Sequence, residues 1–291
     1  MHTFRLLLLC VALLGYGRPS HAEHPIDVER LSAAGEHLQA LAVYDRIPKR
    51  VCTTSAAISA ARSAWALGLT DKATSELDQL LRREDLSAAQ RTEALFTRAI
   101  VEFQEGRHQV ADLYAEKALH NCAGVCPQRS AILLLSGESL ASQGAYGAAE
   151  SKFTAALENV SANQMPEIYY QRGVTRVRLG KLSDARSDLE QVPLQHERTP
   201  EALRALAGVA LDSADFAAVI FWLEKGRALY PQRFLDSWVD YALIESALHQ
   251  EDFKTVTEVQ QNAVKRYAPS DPWMTLLSAS LEAHAWEGRV Q

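Results

Sequence analysis

The sequence lacks the short motifs that identify most enzyme and cofactor sites. It contains no phosphate-binding glycine loop, no nucleophile elbow, no HExxH zinc-protease motif and no dinucleotide-binding GxGxxG motif. Acidic residues are numerous, but carboxylate pairs such as Glu102 and Glu105 are ordinary on amphipathic helices and identify no hydrolase. We therefore expect no catalytic residues, no metal and no cofactor.

Long apolar runs are absent after the N-terminus. The first residues place Arg5 before an apolar run, residues 6–14, which is followed by Gly, Pro and a small-x-small triplet at residues 20–22. This order predicts a secretory signal peptide, residues 1–22, that is cleaved on export. No stretch reaches the roughly 20 apolar residues that a membrane-spanning helix needs. The sequence therefore predicts an exported, periplasmic protein without a membrane span.

Basic residues are too few and too scattered for a nucleic-acid interface. Residues 1–22 include two arginines and no acidic residue, so their removal changes the net charge from -6 to -8. Such a surface repels phosphate backbones and anionic lipid headgroups unless it carries a concentrated basic patch. The basic clusters are short, as at Lys49-Arg50, so nucleic acid is not expected as a partner.

Cysteine is scarce, and its spacing excludes several redox and metal sites. The 4 cysteines form no CxxC pair, and Cys10 lies inside the apolar run, which disfavours lipid attachment there. Cys122 and Cys126 are close enough in sequence to form a disulfide, which an oxidising compartment favours over a metal site. So short a ring contributes only about 2 kcal/mol, so it would fix a loop. Cys52 is expected to be unpaired, or to link two copies of the chain.

What the sequence does contain is a small pattern that returns seven times. A tight-turn residue is followed two positions later by a ring or bulky residue and five positions later by a small or β-branched one, at intervals of 33 to 38 residues. A period in this range is typical of a solenoid, in which each unit buries its apolar face against its neighbours. The turn residues are Gly35, Gly68, Gly106, Gly144, Gly180, Ala214 and Glu251.

Each repeat is predicted to be a helix, a turn and a second helix. Apolar residues recur at helical spacing on both sides of each turn, and glycine adopts the positive φ of a sharp reversal without steric cost. The small residue five positions after the turn should lie where the two helices cross. Proline occurs where helices are expected to start, as in Thr199-Pro200 and Asp271-Pro272, and Thr199 and Asp271 are predicted helix caps.

The pattern resembles the tetratricopeptide repeat (TPR), a helix-turn-helix unit of about 34 residues. Residues 133–159 and 168–192 resemble it most, and the first-helix glycine of the family falls on Gly137 and Gly173. The resemblance implies an all-α, right-handed superhelical solenoid of about seven repeats over residues 23–270. A C-terminal capping helix follows at residues 271–291, with Trp273, Leu276, Leu277 and Leu281 on its buried side.

In the family, the first helix of each repeat lines a concave surface that binds partner proteins or peptides. Exposed aromatic side chains beside arginine are the residue types that dominate binding hot spots. Applying that register to this chain gives a candidate partner-binding face, with packing in the core as the alternative role of each side chain. Its residues are Arg62, Tyr170, Arg178, Arg204, Trp238, Tyr241 and Glu245.

The resemblance favours a non-catalytic exported scaffold that binds a protein or peptide in a cell-envelope or secretion assembly. Outer-membrane assembly, pilus biogenesis and polysaccharide export are the settings in which exported relatives of this kind act. One alternative is a groove-based enzyme that processes glycans or peptides with Glu138 or Glu245. The other is a structural protein that associates with itself.

Overall fold

The computed structural model describes residues 24–122, 126–158 and 160–290, with side chains to residue 285. These residues form fifteen α-helices and no β-strand. The predicted signal peptide lies outside the described residues. The chain forms two compact units, one ending at Val101 and the other beginning at Glu102. No helix in the described ranges combines the length and hydropathy needed to cross a membrane.

The helices follow the predicted order of seven pairs and a final single helix. The first pairs are α1 (Pro25–Ala33) with α2 (His37–Tyr44) and α3 (Thr54–Ala66) with α4 (Thr70–Leu81). The next helices are α5 (Ala88–Gln104), α6 (His108–Asn121), α7 (Arg129–Ser142), α8 (Tyr146–Ala156), α9 (Met165–Arg178) and α10 (Leu182–Leu189). The last are α11 (Thr199–Asp212), α12 (Phe216–Leu229), α13 (Ser237–His249), α14 (Phe253–Arg266) and α15 (Pro272–Val290).

The turn of each repeat has the backbone conformation that its sequence pattern predicted. All seven turn residues have positive φ, including the two that are not glycine, Ala214 at 54° and Glu251 at 59°. The bulky residue two positions later begins the second helix of every pair, from His37 in α2 to Phe253 in α14. The repeat pattern therefore located the start of every second helix correctly.

The small residues five positions after the turns are buried, as expected. The alanines at these positions have no exposed surface, and Val219 and Val256 replace them in the last two pairs at 0% and 6% exposure. The first-helix glycines permit the same close approach. A Cβ atom on Gly137 would lie 2.5 Å from Phe153 Cε1, and one on Gly173 would lie 2.8 Å from Leu189 Cγ.

One of the two predicted caps is confirmed and the other is wrong. Asp271 Oδ1 accepts hydrogen bonds from the backbone N–H groups of Trp273 at 2.9 Å and Met274 at 3.3 Å. Thr199 instead donates its hydroxyl to the carbonyl oxygens of Pro193 and His196, both at 2.7 Å. Since Thr199 is itself the first residue of α11, its hydroxyl ties the preceding loop to the helix.

The capping helix α15 packs on α13, with one correction to its predicted buried face. Leu277 is 1% exposed and Leu281 packs beside it against Ile244 and neighbouring residues, whereas Leu276 is 49% exposed. Met274 takes its place in the core. Positions 274, 277 and 281 follow the three-and-four spacing of one helical face, and position 276 lies outside it.

Candidate functional site

Polar pairs one repeat apart join each first helix to the next first helix or to the residues just before it. In the C-terminal unit, Gln171 bonds Glu138, Arg198 bonds Glu167, Arg233 bonds Glu201 and Arg204 bonds Asp236. These partners are 31 to 33 residues apart in sequence, which places equivalent repeat positions side by side. We call this surface, from Glu138 on α7 to Trp273 on α15, the C-terminal face.

The N-terminal unit has a separate candidate site, a pocket of about 460 Å³. It is lined by residues from α1, α3 and α5 and by His37, which begins α2. Arg62, predicted from the sequence, lies here and donates to Thr97 Oγ1 at 3.2 Å and Glu93 Oε1 at 3.4 Å. Trp65 forms part of the apolar wall. The pocket therefore combines an aromatic surface with an arginine already held by two partners.

Tyr170, another predicted residue, lies within a network of charged groups on the C-terminal face. The Arg198 guanidinium stacks over its ring at 5.4 Å from the centroid and donates to Glu167 Oε2 at 3.0 Å. The ring also packs against the apolar cluster around Leu206, so Tyr170 has both a packing role and a surface role. Burial raises the pKa of its hydroxyl, which keeps it a neutral hydrogen-bonding group.

Glu138 is a carboxyl group that titrates close to neutral pH. Burial and the nearby charge of Glu167 raise its pKa from 4.5 to about 7, while Arg198 opposes this shift. The Gln171 side-chain amide donates to Glu138 Oε1 and Glu167 Oε1, each at 2.9 Å. Arg198 is therefore the positive charge close to both Glu138 and Glu167, and the net charge of this region depends on pH near neutrality.

Arg204 and Trp238, both predicted from the sequence, contact each other directly. The guanidinium lies 4.9 Å from the Trp238 ring centroid and 5.7 Å from that of the buried Phe234. Asp236 accepts hydrogen bonds from both terminal nitrogens of Arg204 and also caps α13. These contacts fix the arginine with its planar group over an aromatic ring, a prearranged site for stacking or for a carboxylate.

The face continues to the end of α13 through Tyr241 and Glu245. The Tyr241 and Trp273 rings lie 5.2 Å apart, which joins α13 to the capping helix α15. Burial, followed by the Glu245 charge, raises the pKa of Tyr241. Glu245 accepts a hydrogen bond from Ser280 and lies 3.4 Å from His249 Nε2. Glu245 is therefore held by its own chain rather than presented as an unpaired charge.

The structure thus brings some predicted residues together and separates others. Arg204, Trp238 and Tyr241 form one half-buried surface, and Tyr170 lies on the same unit. Arg178 is exposed in the last turn of α9 and forms no ion pair or stacking contact with the described residues. Arg62 belongs to the pocket of the other unit.

A further candidate site, beside the second helix of a pair, was not predicted from the sequence. A cavity of about 220 Å³ lies between Trp222 on α12 and the loop that precedes α11, including Pro193 and Leu194. Lys225 lies over the rings of Phe221 and Trp222, at 5.6 Å and 5.3 Å from their centroids. The aromatic pair at residues 221 and 222 was a sequence signal, because consecutive residues point about 100° apart around a helix, and Phe221 is 54% exposed.

The two loop cysteines have the geometry that their spacing predicted. The Cα atoms of Cys122 and Cys126 are 5.5 Å apart, within the range that a disulfide needs. The bridge itself stays a prediction, since residues 123–125 lie outside the described part of the chain. Cys52 is half-buried, and burial raises the pKa of its thiol, which favours the unreactive protonated form.

No protein-family model and no curated protein matches this sequence. Solved structures do match it. One is the C-terminal part of a TPR repeat-containing protein from Cytophaga hutchinsonii, 12% identical, with a TM-score of 0.65, covering 87% of this chain and 99% of that one. PilF of Pseudomonas aeruginosa is 19% identical, with a TM-score of 0.60, over 78% of this chain and 96% of its own.

A third similar structure is PilW, described as a type IV pilus biogenesis factor. It is 14% identical, with a TM-score of 0.59, over 77% of this chain and 97% of its own. Identities this low establish similarity of fold and do not transfer a function. The chain therefore has the TPR fold, and the resemblance inferred from its sequence is confirmed at that level.

Proposed function

We propose that this chain is a non-catalytic, exported scaffold that binds an extended segment of a partner protein in a cell-envelope or secretion assembly. The observation that carries the proposal is the surface formed by Arg204, Trp238, Tyr241 and Trp273 on the C-terminal face. Proteins built from stacked repeats commonly bind their partners along such extended surfaces. The likeness to PilW, a pilus biogenesis factor, supports an envelope setting.

The chemistry of the C-terminal face favours a peptide ligand. Large rings bury apolar area with little loss of side-chain entropy, and a fixed guanidinium can bind a carboxylate or a carbonyl oxygen. Arg204 is already paired with Asp236, so a ligand carboxylate must compete with that contact. A neutral or aromatic peptide side chain that stacks on the Arg204–Trp238 pair does not need to displace the Asp236 carboxylate. We therefore expect peptides rich in aromatic and amide groups.

Selection from a displayed library of random peptides tests this proposal. The best selected peptide should bind the protein with a measurable dissociation constant, and Trp238→Ala should weaken it by at least about 2 kcal/mol, or roughly 30-fold. The matched control is Phe221→Ala, which removes an exposed ring from the second helix α12. Circular dichroism and thermal melting must show that both variants are folded.

Selected peptides that lose equal affinity in the Phe221→Ala variant would place binding on the second-helix surface instead. A library that yields no binder above background would count against peptide recognition altogether. Arg204→Lys is a useful third variant because it keeps the charge and removes the planar group. We expect it to weaken binding, since lysine cannot stack or bond in the forked geometry of arginine.

One observation favours a second candidate, a groove-based hydrolase. A carboxyl group with a pKa of about 7, such as Glu138 beside Glu167, is suited to general acid catalysis. Glycan or peptide turnover that disappears in Glu138→Gln, with binding of the selected peptide unchanged, would support this candidate over the scaffold.

A further inference from the structure

Two helical turns on α13 and α15 face each other with complementary side chains. Glu245 and His249 are four residues apart on α13, and Ser280 and His284 are four residues apart on α15. Residues four apart lie on the same side of a helix, so each pair presents a single edge. The helices are held in this register by the apolar cluster that contains Ile244, Leu277 and Leu281.

The three ligand-type side chains of these turns converge on one point. One donor atom from each of Glu245, His249 and His284 lies within 4.8 Å of the other two. The His249 Nε2 and Glu245 Oε1 atoms are 3.4 Å apart. Ligand atoms on a tetrahedral Zn²⁺ are about 3.3 to 3.6 Å from one another, given bonds of about 2.0 to 2.2 Å. One pair already has this spacing, and the third donor atom lies within 4.8 Å of both.

Neighbouring groups hold two of these ligands in place. Ser280 donates its hydroxyl to Glu245 Oε2, which leaves Oε1 facing His249. The Phe216 ring stacks on the His249 imidazole at 4.1 Å with only 6° between the planes. Contacts of this kind orient the ligands of metal sites and tune their affinity. Glu245 and His284 are half-buried, and the exposed His249 is restrained by its stacking on Phe216.

We propose that Glu245, His249 and His284 bind a divalent transition-metal ion of the Zn²⁺ class and so attach the last helix to α13. Two imidazoles and one carboxylate match the preferences of zinc and its first-row neighbours, whereas Mg²⁺ and Ca²⁺ prefer ligand sets made of oxygen atoms. Three protein ligands leave the fourth position of a tetrahedral ion for water or for a group from a partner. The sequence alone did not suggest this site, because its third ligand comes from a separate helix.

Calorimetric titration of the purified, chelator-treated protein with Zn²⁺ tests the proposal. We expect one equivalent to bind and the melting temperature to rise with metal concentration, since a ligand that binds the folded state stabilises it. His284→Gln and Glu245→Gln should each weaken binding by more than about tenfold. Ser280→Ala keeps all three ligands and should weaken binding by about tenfold or more, as loss of an orienting hydrogen bond does.

Matched control positions lie on α15, close to Ser280 and His284. Glu282 and Ser278 are exposed on α15, so Glu282→Gln and Ser278→Ala remove the same groups without touching the cluster. Both should bind Zn²⁺ as the unaltered protein does. With Co²⁺ in place of Zn²⁺, the visible spectrum should show a bound ion in the protein and in the controls but not in His284→Gln.

Three results would overturn the proposal. The first is the absence of stoichiometric Zn²⁺ binding by protein that circular dichroism shows to be folded. The second is binding that His284→Gln and Glu245→Gln leave unchanged, which would assign the ion to other histidines. Mg²⁺ that binds as tightly as Zn²⁺ would also contradict it, because the donor set would then be the wrong one.

Discussion

Replacing Gly137 by alanine tests whether α7 and α8 pack as closely as the fold requires. Gly137 lies in the middle of α7, opposite the fully buried ring of Phe153 on α8. An added Cβ would lie 2.5, 2.7 and 2.9 Å from three atoms of that ring. Ordinary contacts begin at 3.4 Å, so the ring edge would have to move by about 0.9 Å within a packed cluster.

Two opposing effects set the size of the change. Alanine is favoured over glycine in a helix by about 1 kcal/mol, whereas overpacking a core costs about 1 to 3 kcal/mol and sometimes more. The clash involves the rigid edge of an aromatic ring rather than the end of a flexible chain, so the larger cost applies. We expect Gly137→Ala to lower the free energy of unfolding by about 1 to 2 kcal/mol.

Gly208→Ala on α11 is the matched control. A Cβ there meets no atom within 4 Å, so only the helix-propensity gain remains and stability should rise by up to about 1 kcal/mol. Urea unfolding followed by circular dichroism measures the difference. Because stacked repeats can unfold in stages, hydrogen exchange of residues 129–156 should also show faster opening in Gly137→Ala.

The double variant Gly137→Ala/Phe153→Leu adds a direct check on the cause. Leucine lacks the ring edge, so the two changes should cost less together than the sum of their separate effects. Additive costs, or a Gly137→Ala protein as stable as Gly208→Ala, would refute the close packing of the two helices.

Three other predictions concern charge and cysteine. Burial raises the pKa of Glu138 from 4.5 to about 7, so the folded state binds more protons than the unfolded state between these pH values, and stability falls as the pH rises through them. Glu138→Gln should remove this pH dependence. In urea titrations at pH 8 it should stabilise the protein by up to about 3 kcal/mol. Asp188 is 3% exposed and paired with two arginines, so Asp188→Ala should lower the free energy of unfolding by about 3 to 5 kcal/mol. Asp184 is exposed on the same helix, and Asp184→Ala should change it by only about a few tenths of a kcal/mol. Equal effects of the two substitutions would contradict the buried pairing. Alkylation of the denatured, unreduced protein should leave Cys122 and Cys126 unlabelled until a reductant is added, and labelling of both before reduction would exclude the bridge.

The repeat pattern predicted the fold well because local and global requirements coincide in it. A residue such as Gly144 is needed for its positive φ, and an alanine such as Ala149 is needed for close packing, so each leaves a visible mark in the sequence. The position of Glu251 in the repeat period also predicted its turn correctly, although glutamate is an unusual residue at positive φ. The buried face of α15 was less well predicted, since Leu276 and Leu277 are equally apolar and only the packing of α13 distinguishes them.

The candidate site was harder to predict because it depends on partners from different repeats. The sequence identified Arg204 and Trp238 but could not show that Asp236 holds the arginine over the ring. Glu245 was expected on an open surface, yet its carboxylate accepts a hydrogen bond from Ser280, which is 35 residues away on α15. Distances between helices decide such contacts, and no spacing along a single helix encodes them.

Photo-crosslinking in the native cells can detect a partner protein bound to the C-terminal face. Benzoylphenylalanine in place of Tyr241 should give a discrete product of higher mass in the envelope fraction, and an excess of the library-selected peptide should suppress it. The same group in place of Phe221, exposed on α12, should give no such product. A product from position 221 alone, or equal products from both positions, would contradict the account.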